Sequence, residues 1–178
     1  MSNYITSNFS NLIFSCSVPS QWHMEHRVTD HCVVFVRQGK LLISDKGRTE
    51  EIPAGSCVFL KKDCSVRLVK ASFAGKNYEG LNIRLPQNIL EDYFQRHLKN
   101  NEFSQDFTGL SNCFMRLNRT LCLQGLLSSI ILFVEEGQDP GQKMTELKVE
   151  ELILDLLQTN IRFFPTLFDF YRDWNVDL

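Results

Sequence analysis

Up to residue 85 the chain runs through one short apolar or β-branched segment after another, each closed by turn residues, and the series stops at Pro86. "HCVVFVRQG" is dense in Val and Phe and ends at Gly39, the composition of a strand running into a turn. "KLLISDKG" follows, and Asp45-Lys46-Gly47 has hairpin chemistry because glycine takes a positive φ at no steric cost. "TEEIP", "SCVFLKK", "SVRLVKAS" and "NYEGLNIRL" continue the pattern, and residues 12–17 and 22–28 add shorter strands or an N-terminal arm. Many short strands with turns between them predict an antiparallel sandwich or barrel, not a parallel sheet.

Beyond Pro86 the periodicity changes. "QNILEDYFQRHLKN" places Ile89, Leu90, Tyr93, Phe94 and Leu98 on one side of a helix. A long loop rich in Asn, Ser, Phe and Gly follows, then two helices over 118–135 and 143–162. The Gly and Pro residues of "EEGQDPGQ" break the chain between them, which predicts an antiparallel helical hairpin. The expected class is α+β, with a β part over 1–86 and a helical part over 87–164. With 178 residues and 43% hydrophobic content, one compact domain with appended helices can bury a substantial core. Fourteen Phe make that core aromatic.

Charge and composition exclude several function classes. A formal net charge of −2 argues against binding nucleic acid through this chain's own surface. "MSNYITSNFSNLIF" lacks the basic n-region of a signal peptide, and "SSIILFVEEG" is too short to span a bilayer. These features predict a cytoplasmic protein with no membrane partner. The six cysteines form no CxxC pair and no zinc-type spacing with histidine, so free thiols are expected.

The two long helices carry more apolar positions than one face needs. The first aligns Leu123, Leu126, Leu127, Ile130, Ile131 and Val134. Its opposite face offers Gly125, Ser128 and Ser129 between Leu121 and Leu132, and is expected to pack on the barrel or a neighbouring helix. The second helix has a core stripe of Val149, Leu152, Ile153 and Leu156 and a separate heptad-spaced stripe of Leu147, Leu154 and Ile161. That extra stripe is either buried within one subunit or joins a second copy. With Glu150, Glu151 and Gln158 beside it, it is the candidate homodimer interface.

"VVFVRQGKLLISDKG", "IPAGSCVFLKKDCSVRL" and "KVEELILDLL" carry a resemblance. In order and spacing they resemble the N-terminal regulatory domain of AraC/XylS-type transcription regulators, in particular the ExsA-like subgroup that activates type III secretion genes. The resemblance implies a cupin-like antiparallel β-barrel or sandwich followed by a helical hairpin through which the domain dimerises. It implies a C-terminal DNA-binding domain of two helix-turn-helix units, expected to be absent here, so that DNA is reached only through that missing domain. "FFPTLFDFYRDWNVDL" looks like the approach to it, with 165–178 as the start of a linker. An excised regulatory domain or a truncated relative is therefore expected. In the subgroup, control comes from a protein partner and not from a sugar.

Cupins that hold a metal place two histidines and a glutamate in a first motif and one histidine in a second. Anchored on Gly39, the glutamate position falls on Cys32, and the histidine positions fall on His26 and Val28, or on Glu25 and Arg27. Anchored on Gly55, the last histidine becomes Val58, which cannot ligate. In "HMEH", His23 and Glu25 would face one way along a strand and His26 the other. Without a nucleophile elbow or a phosphate loop, the reading is non-enzymatic, with no catalytic residue, metal or cofactor.

The barrel interior has two possible states. Phe35, Leu42, Val58, Leu60, Leu68 and Phe73 can fill it, or a pocket can remain, with Trp22, His26, Phe35, Tyr78 and Arg84 as candidate lining. Lys61, Lys62, Arg67, Lys70, Lys76 and Arg84 concentrate positive charge over residues 61–84, as a solvated face or a docking surface for an acidic partner. The expected partners are a second copy, through the helix at 143–162, and a small-molecule or protein effector. The competing reading is a free-standing binding or adaptor module.

Overall fold

The computed structural model describes residues 4–99 and 108–170. The strands are β1 (Ile5–Phe9), β2 (Ile13–Val18), β3 (Trp22–Arg27), β4 (His31–Gln38), β5 (Lys40–Asp45), β6 (Arg48–Pro53), β7 (Cys57–Leu60), β8 (Ser65–Ala71), β9 (Tyr78–Leu85) and β10 (Phe114–Leu117). The helices are α1 (Gln87–His97), α2 (Leu121–Glu135), α3 (Gln142–Thr159) and α4 (Phe163–Leu167). The strands form two sheets, one ordered β1-β2-β9-β4-β7-β10 and the other β3-β8-β5-β6. Among the described residues every strand pairing is antiparallel.

Turn chemistry sets the connections. Lys46 and Gly47, at φ 45° and 81°, close the β5–β6 hairpin with both central residues in the left-handed region, the geometry that matches strand twist. Gly55, at φ 84°, ends the Pro53-Ala54-Gly55 turn and donates its N–H to the Val36 carbonyl at 2.7 Å. This fastens the turn to β4.

The two sheets face each other, and their burial patterns differ. β3 alternates half-buried and exposed positions, as a strand with one wet face must. β7 is buried at all four positions. Val58 and Leu60 point between the sheets, while Cys57 and Phe59 point outward into a helical layer. That layer presents Leu90, Tyr93 and Phe94 of α1, Leu123, Leu126, Leu127 and Ile130 of α2, and Val149, Leu152, Ile153 and Leu156 of α3. They cover Ile13, Val33, Leu81 and Ile83 on the outer face of the larger sheet. α2 starts at Thr120, whose Oγ1 accepts from the Leu123 N–H at 2.9 Å and donates to Asp155 Oδ1 of α3 at 2.8 Å. One side chain thus caps α2 and satisfies a buried carboxylate.

The structure departs from the sequence reading at two places. The expected loop before α2 contains β10, which adds an edge to the larger sheet beside β7. Residues 163–170, expected to approach or begin a linker, instead complete the core. Phe163 meets Phe59 edge-on at 5.0 Å, and Leu167, Phe168 and Phe170 are buried. Residues 171–178 of that expected linker lie outside the described residues. All six cysteines are free thiols, four of them buried and Cys122 exposed. Among the described residues no helix is long and apolar enough to cross a membrane.

Gly39 makes the sharpest backbone demand. Its φ is 71°, and a Cβ there would lie 2.6 Å from the Ala71 carbonyl oxygen and 2.8 Å from the Tyr78 Cα. Gly39→Ala is expected to destabilise the domain by about 3 kcal/mol or more, through left-handed strain plus a clash against two strands. Urea unfolding followed by circular dichroism measures it.

Candidate functional site

A cavity of about 380 Å³ lies between the two sheets. Strand alternation builds its wall. Trp22, Met24 and His26 share the inner face of β3, whereas His23 and Glu25 are exposed. Cys32 and Val34 enter from β4, Leu68 and Lys70 from β8, Asn82 and Arg84 from β9, and Phe14 and Cys16 from β2.

The wall is apolar in the middle and polar at two places. At one, Arg84 is paired with Asp30. At the other, Lys70 Nζ stands 4.9 Å from the centre of the Trp22 ring and 5.4 Å from that of Tyr78. It donates to Cys16 Sγ at 3.5 Å, and Asn82 Nδ2 points at the same sulfur at 3.8 Å. Burial holds the His26 pKa below its ordinary value, and the nearby Lys70 charge lowers it further.

Of the pocket residues expected from sequence, Trp22, His26 and Arg84 line the cavity. Phe35 does not. The alternation that turns Cys32 and Val34 inward turns Phe35 toward the helical layer. Tyr78 faces the interior but is packed beneath the cavity, with its side chain fully covered. Of the residues weighed as filling, Val58, Leu60 and Leu68 are interior, and the last two border the cavity. Phe73 is 58% exposed. Lys70, Asn82, Cys16 and Asp30 were not anticipated as lining. The signal was present for Lys70, since "SVRLVKA" sets it in step with Val66 and Leu68 on the buried face of β8.

Val58, at the position of a metal cupin's second-motif histidine, is fully buried among aliphatic side chains. Among the described residues no group of three His, Cys, Asp or Glu side chains is placed to hold a metal ion. The basic residues of 61–84 do not form one surface. Lys62 pairs with Asp169, Arg67 with Glu25 and Arg84 with Asp30, Lys61 bonds the Leu110 carbonyl, and Lys70 turns inward.

A second feature lies on the helices. Leu147 and Leu154 of α3 are 45% and 47% exposed, and Glu151 and Gln158 beside them are also exposed. α3 ends at Thr159 and the chain turns extended at Asn160, so Ile161, itself exposed, lies past the helix and not on its stripe. Glu150 is not on this stripe but faces α1, where it pairs with Arg96. The small face of α2, expected to pack internally, is open: Leu121, Gly125, Ser128 and Leu132 are all exposed.

A smaller cleft beside α4 holds His31, Lys61, Lys62, Thr166 and Asp169. The His31 ring stacks on Phe59, its Nδ1 accepts from the Lys62 N–H at 3.1 Å, and its buried Nε2 has no partner among the described residues. Burial, then the Lys62 charge, lower its pKa to about 4. The unfolded chain therefore takes up this proton near pH 6.5 and the folded chain only near 4, so stability falls as pH drops through that window. The loss reaches about 3 kcal/mol at its lower end. His31→Asn, which keeps an acceptor for Lys62, is expected to be less stable than wild type at pH 7, with the gap narrowing toward pH 4.5 in denaturant titrations.

Comparison with known proteins locates the fold. A family model described as the ExsA N-terminal regulatory domain matches residues 31–163. No curated protein matches the chain in sequence. Among solved structures, an apo variant of ToxT from Vibrio cholerae is similar with a TM-score of 0.60 at 12% identity, covering 85% of this chain and 58% of that one. Wild-type ToxT bound to an unsaturated fatty acid gives 0.56 at 13%, covering 81% and 52%. ToxT bound to (E)-4-(8-methylnaphthalen-1-yl)but-3-enoic acid gives 0.52 at 12%, covering 81% and 56%. The likeness is one of fold, and the chain spans little more than half the length of the ToxT chains.

Proposed function

Because the chain belongs to the family of the ExsA N-terminal regulatory domain, the cupin-like regulatory domain of AraC-type transcription regulators, we propose that it senses an effector and dimerises. In that role it controls the DNA-binding domain of a longer regulator in the cytoplasm and performs no catalysis. The observation that carries the reading is the cavity between the sheets, which has the size and the apolar-with-few-polar-groups lining of a small-molecule site. ToxT, of similar fold, is bound to an unsaturated fatty acid in one structure and to a naphthyl butenoic acid in another. Both features favour a small-molecule effector over a protein one.

Dimerisation is read from the helices. Two exposed leucines seven residues apart, Leu147 and Leu154, give α3 a seam suited to a second helix. The small residues of α2 leave room for a neighbouring backbone, since a Cβ added at Gly125 would meet nothing within 4 Å. Occupancy of the cavity would then change the orientation of this helical layer, which rests on the same sheet that walls the cavity.

The test is a fusion of this chain to a DNA-binding head that represses a reporter only as a dimer. The fusion is expected to repress, and Leu147→Asp with Leu154→Asp to abolish repression while giving a folded monomer by light scattering and circular dichroism. A double mutant that stays dimeric removes α3 from the interface.

A further inference from the structure

The groups around Cys16 are out of balance. Lys70 Nζ and Asn82 Nδ2 both donate to Cys16 Sγ, a weak acceptor. Tyr78 Oη is buried with no hydrogen-bond partner among the described residues. It rests over Gly80, where a Cβ would lie 2.5 Å from it, and Gly80 is the cross-strand partner of Cys16. Two donors thus share one weak sulfur acceptor, and the Tyr78 hydroxyl close by has no partner among the described residues. A buried donor left this way costs free energy that a better acceptor would recover.

The charges are unequal as well. Arg84 is neutralised by Asp30, and burial keeps His26 toward its neutral form. Lys70 forms no ion pair among the described residues, and only two aromatic faces and the sulfur attend its ammonium. The cavity therefore carries one uncompensated positive charge at one place and an aliphatic wall of Met24, Val34, Leu60 and Leu68 along the rest.

We propose that the cavity selects a monoanionic amphipathic ligand, a carboxylate whose oxygens accept from Lys70 Nζ and Asn82 Nδ2 and whose apolar part lies along Met24, Val34, Leu60 and Leu68. This rests on the reading of the cavity as the effector site. A carboxylate matches one positive charge with one negative charge. A phosphate monoester, nearer two negative charges at neutral pH, would leave an excess buried.

The experiment compares sodium decanoate with decan-1-ol, which has the same chain without the charge, by calorimetry and thermal melting of this chain. Decanoate is expected to raise the melting temperature and to bind at least tenfold more tightly than decanol. Lys70→Met is expected to erase that preference, Lys70→Arg to keep it, and Asn82→Leu to weaken decanoate alone. Val34→Phe, which fills the cavity, is expected to abolish binding of both probes and so separates the cavity from adsorption on the exposed helices. Circular dichroism establishes that each variant is folded. Equal affinity for the two probes, or a preference unchanged in Lys70→Met, overturns the carboxylate proposal and leaves the effector cavity standing. If neither probe binds wild type, the carboxylate proposal falls and the effector reading loses its support from the cavity.

Discussion

Burial of the six-stranded sheet on both faces holds the two halves of this chain together. β4, β7 and β9 give one set of side chains to the space between the sheets and the other to the helices. Burying one large aliphatic or aromatic side chain is worth about 1.5–3 kcal/mol, so losing the helical layer would expose a face the sheet cannot leave in water. The helices are therefore a structural requirement of the barrel and not an appendage. Phe163, Leu167 and Phe168 belong to the same layer, which explains why the chain past α3 packs down instead of leading away.

The same arrangement links cavity and surface. The larger sheet is the wall of the cavity on one side and the floor of α1, α2 and α3 on the other. A ligand that shifted β4 or β9 would press on this helical layer, because interiors at native packing density transmit displacement. The exposed stripe of α3 lies on the helix whose Val149, Leu152, Ile153 and Leu156 press on that sheet. Sensing and assembly, as proposed here, need no separate relay.

Most of the strands were legible in the chain because period-2 alternation and turn residues survive any tertiary context. The segments from "HCVVFVRQG" to "NYEGLNIRL" appear as β4 to β9, and Asp45-Lys46-Gly47 closes the hairpin it was read as closing. β10 was hidden because a short edge strand has too few residues to show a period. The burial of the aromatics at 163–170 is not legible in composition, which cannot say whether a Phe-rich stretch has a surface to bury against.

At the cavity, residue type pointed correctly to Trp22, His26 and Arg84 and wrongly to Phe35, whose strand parity turns it away. The lining that matters most for charge, Lys70 with Asn82, was passed over because a lysine reads by default as solvated surface. By itself the sequence determined the antiparallel β-then-α order, the turns, the absence of a metal histidine at position 58 and the helix stripes, since each is a local pattern of residue type and spacing. Only the tertiary structure decided that a cavity remains between the sheets, that Lys70 meets no counter-charge there among the described residues, and that the small face of α2 is open. Those depend on which strand faces which across the sheets, and no local period encodes that.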